Sequence, residues 1–274
     1  MAIGSVTLTA SAYANLQALQ NIAQQLGNTQ RALATGKSVN SASDDATAYF
    51  QSQGFLQSAN DLSNLKSNLS TALETVNSVN NSITSIQKVV QQLQSLTTSA
   101  LQNSDTTTRK GLASQYNSLR TQLDLLVNDA TFNGSNLLNT TTTKLIVYFN
   151  ADNTTALTIT GVNVTSAGLS IDAAQSAFAE TTDINTAASL LLTALSTLRT
   201  DASNFGGNAS LIQTRQDFTS NLIDSLTQAS NNLVLADTNL EGASLQQLQA
   251  QNQLAIVSLG ISGQLSQAIL RLFQ

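Results

Sequence analysis

Leu62, Leu65, Leu69, Ala72, Val76, Val79, Ile83, Ile86, Val90, Leu93, Thr97 and Ala100 follow one another at steps of three and four residues without a slip. That spacing lines all of them along one narrow seam of a helix, and its period belongs to a left-handed supercoil rather than to a rounded globular surface. At 1.5 Å per residue the helix is expected to run roughly 58 Å. A compact domain has no use for such an element, so the chain is read as an elongated helical protein. It contains no Pro, and nothing kinks a helix by ring clash.

The same spacing recurs on both sides. Leu16, Leu19, Ala23, Leu26, Gln30 and Leu33 form a first seam; Leu112, Tyr116, Leu119, Leu123, Leu126 and Ala130 form another, after a turn and N-cap at 103–108 that lays this helix antiparallel to the long one. A short helical segment is expected at 47–58. Helical pattern returns by about Asp183, pauses at Asn204–Asn208 (NFGGN), then keeps Leu222, Leu226, Ala229, Leu233, Ala236, Leu240 and Ala243 in one register into the C-terminal stretch. There Leu254, Ser258, Ile261, Leu265, Ala268 and Leu272 make a seam that needs a partner helix. Between the helices, Asn133-Gly134 is a turn signal, and 144–149 and 156–160 read as one β-hairpin around NADN. Residues 161–182 are small and polar without a period, and the region 140–182 is the part expected to tolerate insertion or loss. The fold class is therefore mainly α, with long antiparallel coiled-coil helices from both termini and a small β-hairpin insert.

Charge narrows the function. Only 10% of residues are charged, against 41% hydrophobic, and the formal net charge is -5. No charged residue precedes Arg31, and none occurs from Gly242 to Leu270. Uncharged helices at both ends suit surroundings of other protein or a narrow water space better than free solvent. One subunit cannot satisfy these seams, so the ends are expected to order on assembly. The acidic balance, with no basic cluster, argues against nucleic acid. With no His and no Cys, no catalytic, cofactor or metal constellation is found. No apolar run reaches the length of a membrane span, and the N-terminus lacks the basic and apolar regions of a cleaved leader. An exported chain of this kind is expected to use a route without one.

At Arg31–Ala46 (RALATGKSVNSASDDA) the residues Arg31, Thr35, Gly36, Val39, Asn40, Ser41, Ala42, Asp44, Asp45 and Ala46 resemble the N-terminal signature of bacterial flagellins. A second match is Phe132-Asn133-Gly134 with Leu137-Leu138. A third runs through Ala236-Asp237, Glu241, Leu245, Leu248 and Gln249 to Ile269-Leu270, Leu272 and Phe273. The resemblance implies a secreted, self-polymerising subunit of the extracellular flagellar filament, not an enzyme. It implies export through the type III apparatus and handling by an export chaperone, cap and hook-junction proteins. By the same analogy 1–35 and 240–274 form an inner domain whose polymerisation interface includes Leu16, Leu19, Leu26, Leu33, Leu254, Ile261, Leu265 and Leu272. Residues 36–239 form an outer domain, with a spoke at 36–46 (Arg31, Gly36, Asn40, Asp44, Asp45 in its motif) and the hairpin region at 140–182.

Where many flagellins carry an Arg- and Glu-containing surface read by the vertebrate receptor TLR5, this chain has Ile86-Gln87-Lys88-Val89-Val90-Gln91-Gln92, and Gln115 at a further acidic position. Poor recognition by that receptor is the expectation. Asp44-Asp45 are expected to be solvated or capping carboxylates. Asp237 and Glu241 are either a solvated acidic stripe or intersubunit partners of Arg31, Arg109 or Arg120. A hook–filament junction protein is the alternative within the same system; a chemoreceptor-like signalling coiled coil is the alternative outside it, but it lacks a visible anchor or sensor domain.

Overall fold

The computed structural model describes residues 10–272, apart from the side chains at 11, 266, 269, 270 and 272. Its helices are α1 (Ala10–Thr35), α2 (Ala46–Leu101), α3 (Thr106–Asp129), α4 (Thr181–Val234) and α5 (Thr238–Leu272), and its strands are β1 (Lys144–Tyr148) and β2 (Ala156–Thr160). The chain forms two compact units, Ala59–Ile223 and the pairing of Met1–Ser58 with Asp224–Gln274. These limits fall within α2 and α4.

In the Ala59–Ile223 unit the long seam is the core. Of its members only Leu62 is half-buried; the rest, from Leu65 to Ala100, are buried, and most are wholly inaccessible. Tyr116, Leu123 and Val127 of α3 join them, as do Leu137 and Leu138, and Leu191, Leu195, Leu198, Phe205 and Ile212 of α4, in one continuous cluster. Each large side chain so buried is worth about 1.5–3 kcal/mol. Lys66 Nζ donates to Ser220 Oγ at 2.9 Å, which ties α2 to α4. Asp105 caps α3, accepting from the Thr108 N–H at 2.8 Å.

β1 and β2 pair antiparallel from Lys144↔Thr160 to Tyr148↔Ala156. Their period-2 alternation puts Val147 and Ile159 into the core and Ile146 and Tyr148 outside. The stretch after β2 is held more firmly than its small polar composition implies. Ser166 donates through its N–H and its hydroxyl to Asp124, both at 2.7 Å. Arg120 Nε donates to the Ile171 carbonyl at 2.8 Å, the Ala174 N–H donates to Asn117 at 2.9 Å, and Arg109 Nη1 donates to the Ala179 carbonyl at 3.1 Å. Four side chains of α3 thus strap 166–179 along its length, while the hairpin loop at 151–155 is exposed.

Three sequence expectations are corrected. The segment at 47–58 is not separate but the first part of α2, since no backbone breaker intervenes. Asn204–Asn208 does not pause the helix: α4 runs through Gly206-Gly207 unbroken, with Phe205 and Ile212 anchoring either side. The register from Leu222 to Ala243 is instead cut at Leu235–Asp237, and Leu240, expected in the seam, is 65% exposed.

Candidate functional site

The terminal helices α1 and α5 lie antiparallel, as their contacts show. Asn15 Nδ2 donates to the hydroxyls of Ser258 and Ser262 at 3.1 and 3.3 Å, while at the other end of the pair the Ala236 N–H donates to the Gly36 carbonyl at 3.0 Å. Along α1 a less exposed row of Ala12, Asn15, Leu19, Ile22, Leu26, Thr29 and Leu33 again steps by three and four, with Leu16 and the buried Ala32 flanking it. Leu19, Leu26 and Leu33 therefore stand where the spacing put them and Leu16 is half-buried beside them. Ile22 and Thr29 replace the exposed Ala23 and Gln30 in the row.

On α5 the less exposed row is Leu245, Leu248, Asn252, Ala255, Leu259 and Ser262. The row read from sequence is a different face. Leu254 is 69% exposed, Ile261 54% and Leu265 58%, with Ile256 and Val257 exposed alongside them; the side chain of Leu272 lies outside the described residues. α5 thus carries two apolar rows and pairs with α1 through the more polar of them. Sequence reasoning missed that face because Asn252 and Ser262 interrupt it, and the hydrogen bond from Asn15 accounts for Ser262.

Between α1 and α2 the spoke residues close into one loop. α1 ends at Thr35, and Gly36 takes φ +68°, the left-handed terminator that glycine adopts without a Cβ penalty. Asp44 Oδ2 accepts from the N–H groups of Asn40 and Ser41, both at 2.9 Å, and from the Ser41 hydroxyl at 3.1 Å. These bonds, the Asn40 N–H first, hold its carboxyl below the usual range; the Arg31 guanidinium at 3.8 Å adds a smaller contribution. Asp45 accepts from the Ala48 N–H at 3.0 Å and so caps α2. Asn40 Nδ2 donates to the Lys37 carbonyl at 2.9 Å. The five motif residues Arg31, Gly36, Asn40, Asp44 and Asp45 are brought together; Asp45 caps α2, while Asp44 ties the loop to itself through Asn40 and Ser41.

This loop meets the α4–α5 connector. The Ser38 N–H donates to the Val234 carbonyl at 2.8 Å, and Lys37 bridges Leu235. Asp237 then opens α5 by accepting from the N–H groups of Asn239 and Leu240 at 2.9 and 3.2 Å. Asp237 is thus a helix cap in the chain itself, and Glu241 lies one turn further on. Arg31 faces Asp44, and Arg109 and Arg120 donate to backbone carbonyls, so none of the three cations suggested for these acids is left idle.

The Phe132-Asn133-Gly134 motif is a tight turn in the Ala59–Ile223 unit. Phe132 and Ser135 exchange backbone hydrogen bonds, both at 2.9 Å, around Asn133 at φ 49° and Gly134 at φ 76°. Two central left-handed residues are what a two-residue hairpin loop requires, which explains Asn-Gly there. Asn136 Nδ2 then donates to the Val127 carbonyl at 2.7 Å, closing the end of α3, and places Leu137 and Leu138 in the core.

Residues 6–143 match the family model of the bacterial flagellin N-terminal helical region. The chain belongs to the bacterial flagellins. Full-length similarity agrees: flagellin FljO of Caulobacter vibrioides is 30% identical over 278 residues, covering 100% of both chains. The flagellin of Brucella melitensis is 29% identical, covering 99% of this chain and 100% of its own. A crystal structure of Bacillus cereus flagellin superposes with a TM-score of 0.49 at 17% identity, over 56% of this chain and 88% of that one. This flagellin is a structural protein that self-polymerises into the flagellar filament of motile bacteria, on the outside of the cell. No helix among the described residues is long and apolar enough to cross a membrane.

Proposed function

We propose that copies of this flagellin meet through the second apolar row of α5, Leu254, Ile261 and Leu265, continued by Leu272. In this reading α1 and α5, 1–35 with 240–274, form the inner wall of the filament, 36–46 is the spoke, and the remainder is the outer shell. The supporting observation is that row: large aliphatic side chains left in solvent on a helix with no charge between Glu241 and Arg271. Burying such a row between copies gains about 25 cal/mol per Å2 of apolar surface, and no repeated like charge opposes it. Leu16, Leu19, Leu26 and Leu33 hold α1 against α5 so that the outer row stays turned outward.

The same row needs cover before assembly, the task of an export chaperone, and its exposed end at the growing tip suits contact with cap and hook-junction proteins. Recognition by TLR5 is read as poor. Val90, at the position of a charged residue in many flagellins, is fully buried, and Gln91, Gln92 and Gln115 are exposed and neutral. A receptor reporter assay at full potency would overturn that part.

The assembly reading is tested by seeding purified protein and a Leu254→Gln, Ile261→Gln, Leu265→Gln variant with short filaments, scored by electron microscopy and light scattering. Wild type should extend the seeds; the variant should keep its helical circular dichroism and stay in solution. Filaments from the variant at the wild-type concentration would remove the row from the interface.

A further inference from the structure

Charge is almost absent from the terminal helices, and what remains on α5 sits at its two ends. Between Thr238 and Leu272 the only ionisable side chains are Glu241 in the first turn and Arg271 in the last. Glu241 borders a groove of about 450 Å3 between α5 and α1, lined also by Gln25, Asn28, Thr29, Ser244 and Gln247. Amide and hydroxyl side chains, which donate as well as accept, share the lining with one carboxylate and with Leu248, and no cationic side chain lines the groove. A guanidinium is the charge complement of that carboxylate, and its N–H donors bind a carboxylate and neighbouring oxygens together. Arg271 is exposed. It stands thirty positions further along the same helix, about 45 Å away, and cannot enter the groove of its own chain.

We propose that Arg271 of one copy docks in the Glu241 groove of the next, end to end, and so fixes the polarity and axial register of the assembly. The inference rests on the reading that copies meet through α5. Because the two halves of the contact are different surfaces, it does not close between two copies; it leaves one free Arg271 and one free groove, which is the condition for an open helical series. Joined in this way, successive copies are displaced by about 45 Å along the direction of α5. At that offset the Leu254–Leu265 rows of successive copies do not overlap, so the apolar row joins a copy to its lateral neighbours while the charge at each end selects the axial offset.

The competing account is local: an acid in the first turn and a base in the last each favour the dipole of their own helix. Charge reversal separates the two. Glu241→Arg and Arg271→Glu each oppose the dipole, so under the local account the double variant is worse than either single. Under the proposal the double variant restores the pair with its sign exchanged. In seeded assembly each single variant should raise the critical concentration about tenfold or more, and the double variant should return to within about threefold of wild type. An equimolar mixture of the two singles should co-assemble where neither does alone. Singles that assemble like wild type, or a double variant no better than its worse parent, would overturn the proposal and leave the α5 row intact as an interface. Failure of wild type to extend seeds would instead sink the filament reading beneath it.

Discussion

Ser176, Ala177 and Phe178 are consecutive non-glycine residues with φ of 45°, 53° and 61°. A left-handed backbone costs about 1–2 kcal/mol per such residue, so something must hold them there. Phe178 is fully buried with its ring edge-on to Tyr116, centroids 5.3 Å apart, and Arg109 grips the carbonyl of Ala179 directly after the turn. Deleting a buried Phe side chain costs about 3–5 kcal/mol, comparable to the strain it offsets. Ala177 is half-buried against the same core, but its single methyl returns far less than the Phe178 ring. Ala177→Gly should therefore stabilise the Ala59–Ile223 unit by about 0.5–1 kcal/mol, the relief of strain less the added freedom of the unfolded chain. Gly161 is the opposite case, since a Cβ there would lie 2.6 Å from the Thr140 carbonyl oxygen and 3.0 Å from that of Leu137. Gly161→Ala should destabilise by about 1–3 kcal/mol. Urea midpoints for both variants decide the matter; a loss at Ala177→Gly or no change at Gly161→Ala would show that the turn or the crossing is not built as described.

At the scale of elements, α4 poses the question of why a helix keeps two adjacent glycines. A Cβ added at Gly206 or Gly207 would meet nothing within 4 Å, so packing within the chain does not ask for them. Each costs roughly 1 kcal/mol relative to Ala in a helix interior. Gly206→Ala with Gly207→Ala is expected to raise the thermal midpoint, by about 1–2 kcal/mol in stability; a fall would reveal a local conformation that alanine cannot adopt. These glycines also show what the sequence conveys about elements and what it does not. The seam of α2 was legible because one residue class recurs at one spacing over many turns, and burial followed it. The glycine pair read as a pause because propensity is local, whereas Phe205 and Ile212 hold the helix by burial on either side. The break before α5 was invisible to periodicity, for Leu233, Ala236 and Leu240 keep step straight across it. What ends the helix is a partner distant in sequence, the Gly36 carbonyl accepting from the Ala236 N–H, followed by the Asp237 cap. Of the candidate site, the capping carboxylates and the Asn-Gly turn were legible from residue chemistry. The face of α5 that pairs with α1 was not, because two rows were available and the choice lies in the partner helix.

For the molecule as a whole, the absence of His and Cys fixes how stability responds to pH. Asp44 and Asp105 have folded-state pKa values lowered by the N–H and hydroxyl groups they accept from, Asn40 first for Asp44 and the Thr108 hydroxyl first for Asp105. Their contribution is present above the unfolded value of 3.8 and is lost as pH falls through the lower folded value. Asp201 is shifted upward by burial, so it opposes them, taking stability away as pH rises from 3.8 through its folded value. At the alkaline end Tyr116 is pushed up to about 12 by its burial; the unfolded chain ionises first, near 10, and stability drains as pH climbs from there toward 12. Between these limits the sequence supplies no imidazole or thiol to change charge. The slope of stability against pH is the difference in bound protons between the two states, which is then close to zero. Urea midpoints measured from about pH 6 to 9 should be flat, with a decline beginning above about pH 10. Assembly through uncharged helices should be equally flat over that range while remaining sensitive to salt if the Glu241–Arg271 contact operates, because ions screen a charge pair without titrating it. A midpoint that moved steadily between pH 6 and 9 would require a perturbed carboxylate, amine or tyrosine beyond those named, and would point to a buried ionisable group whose charge changes on folding.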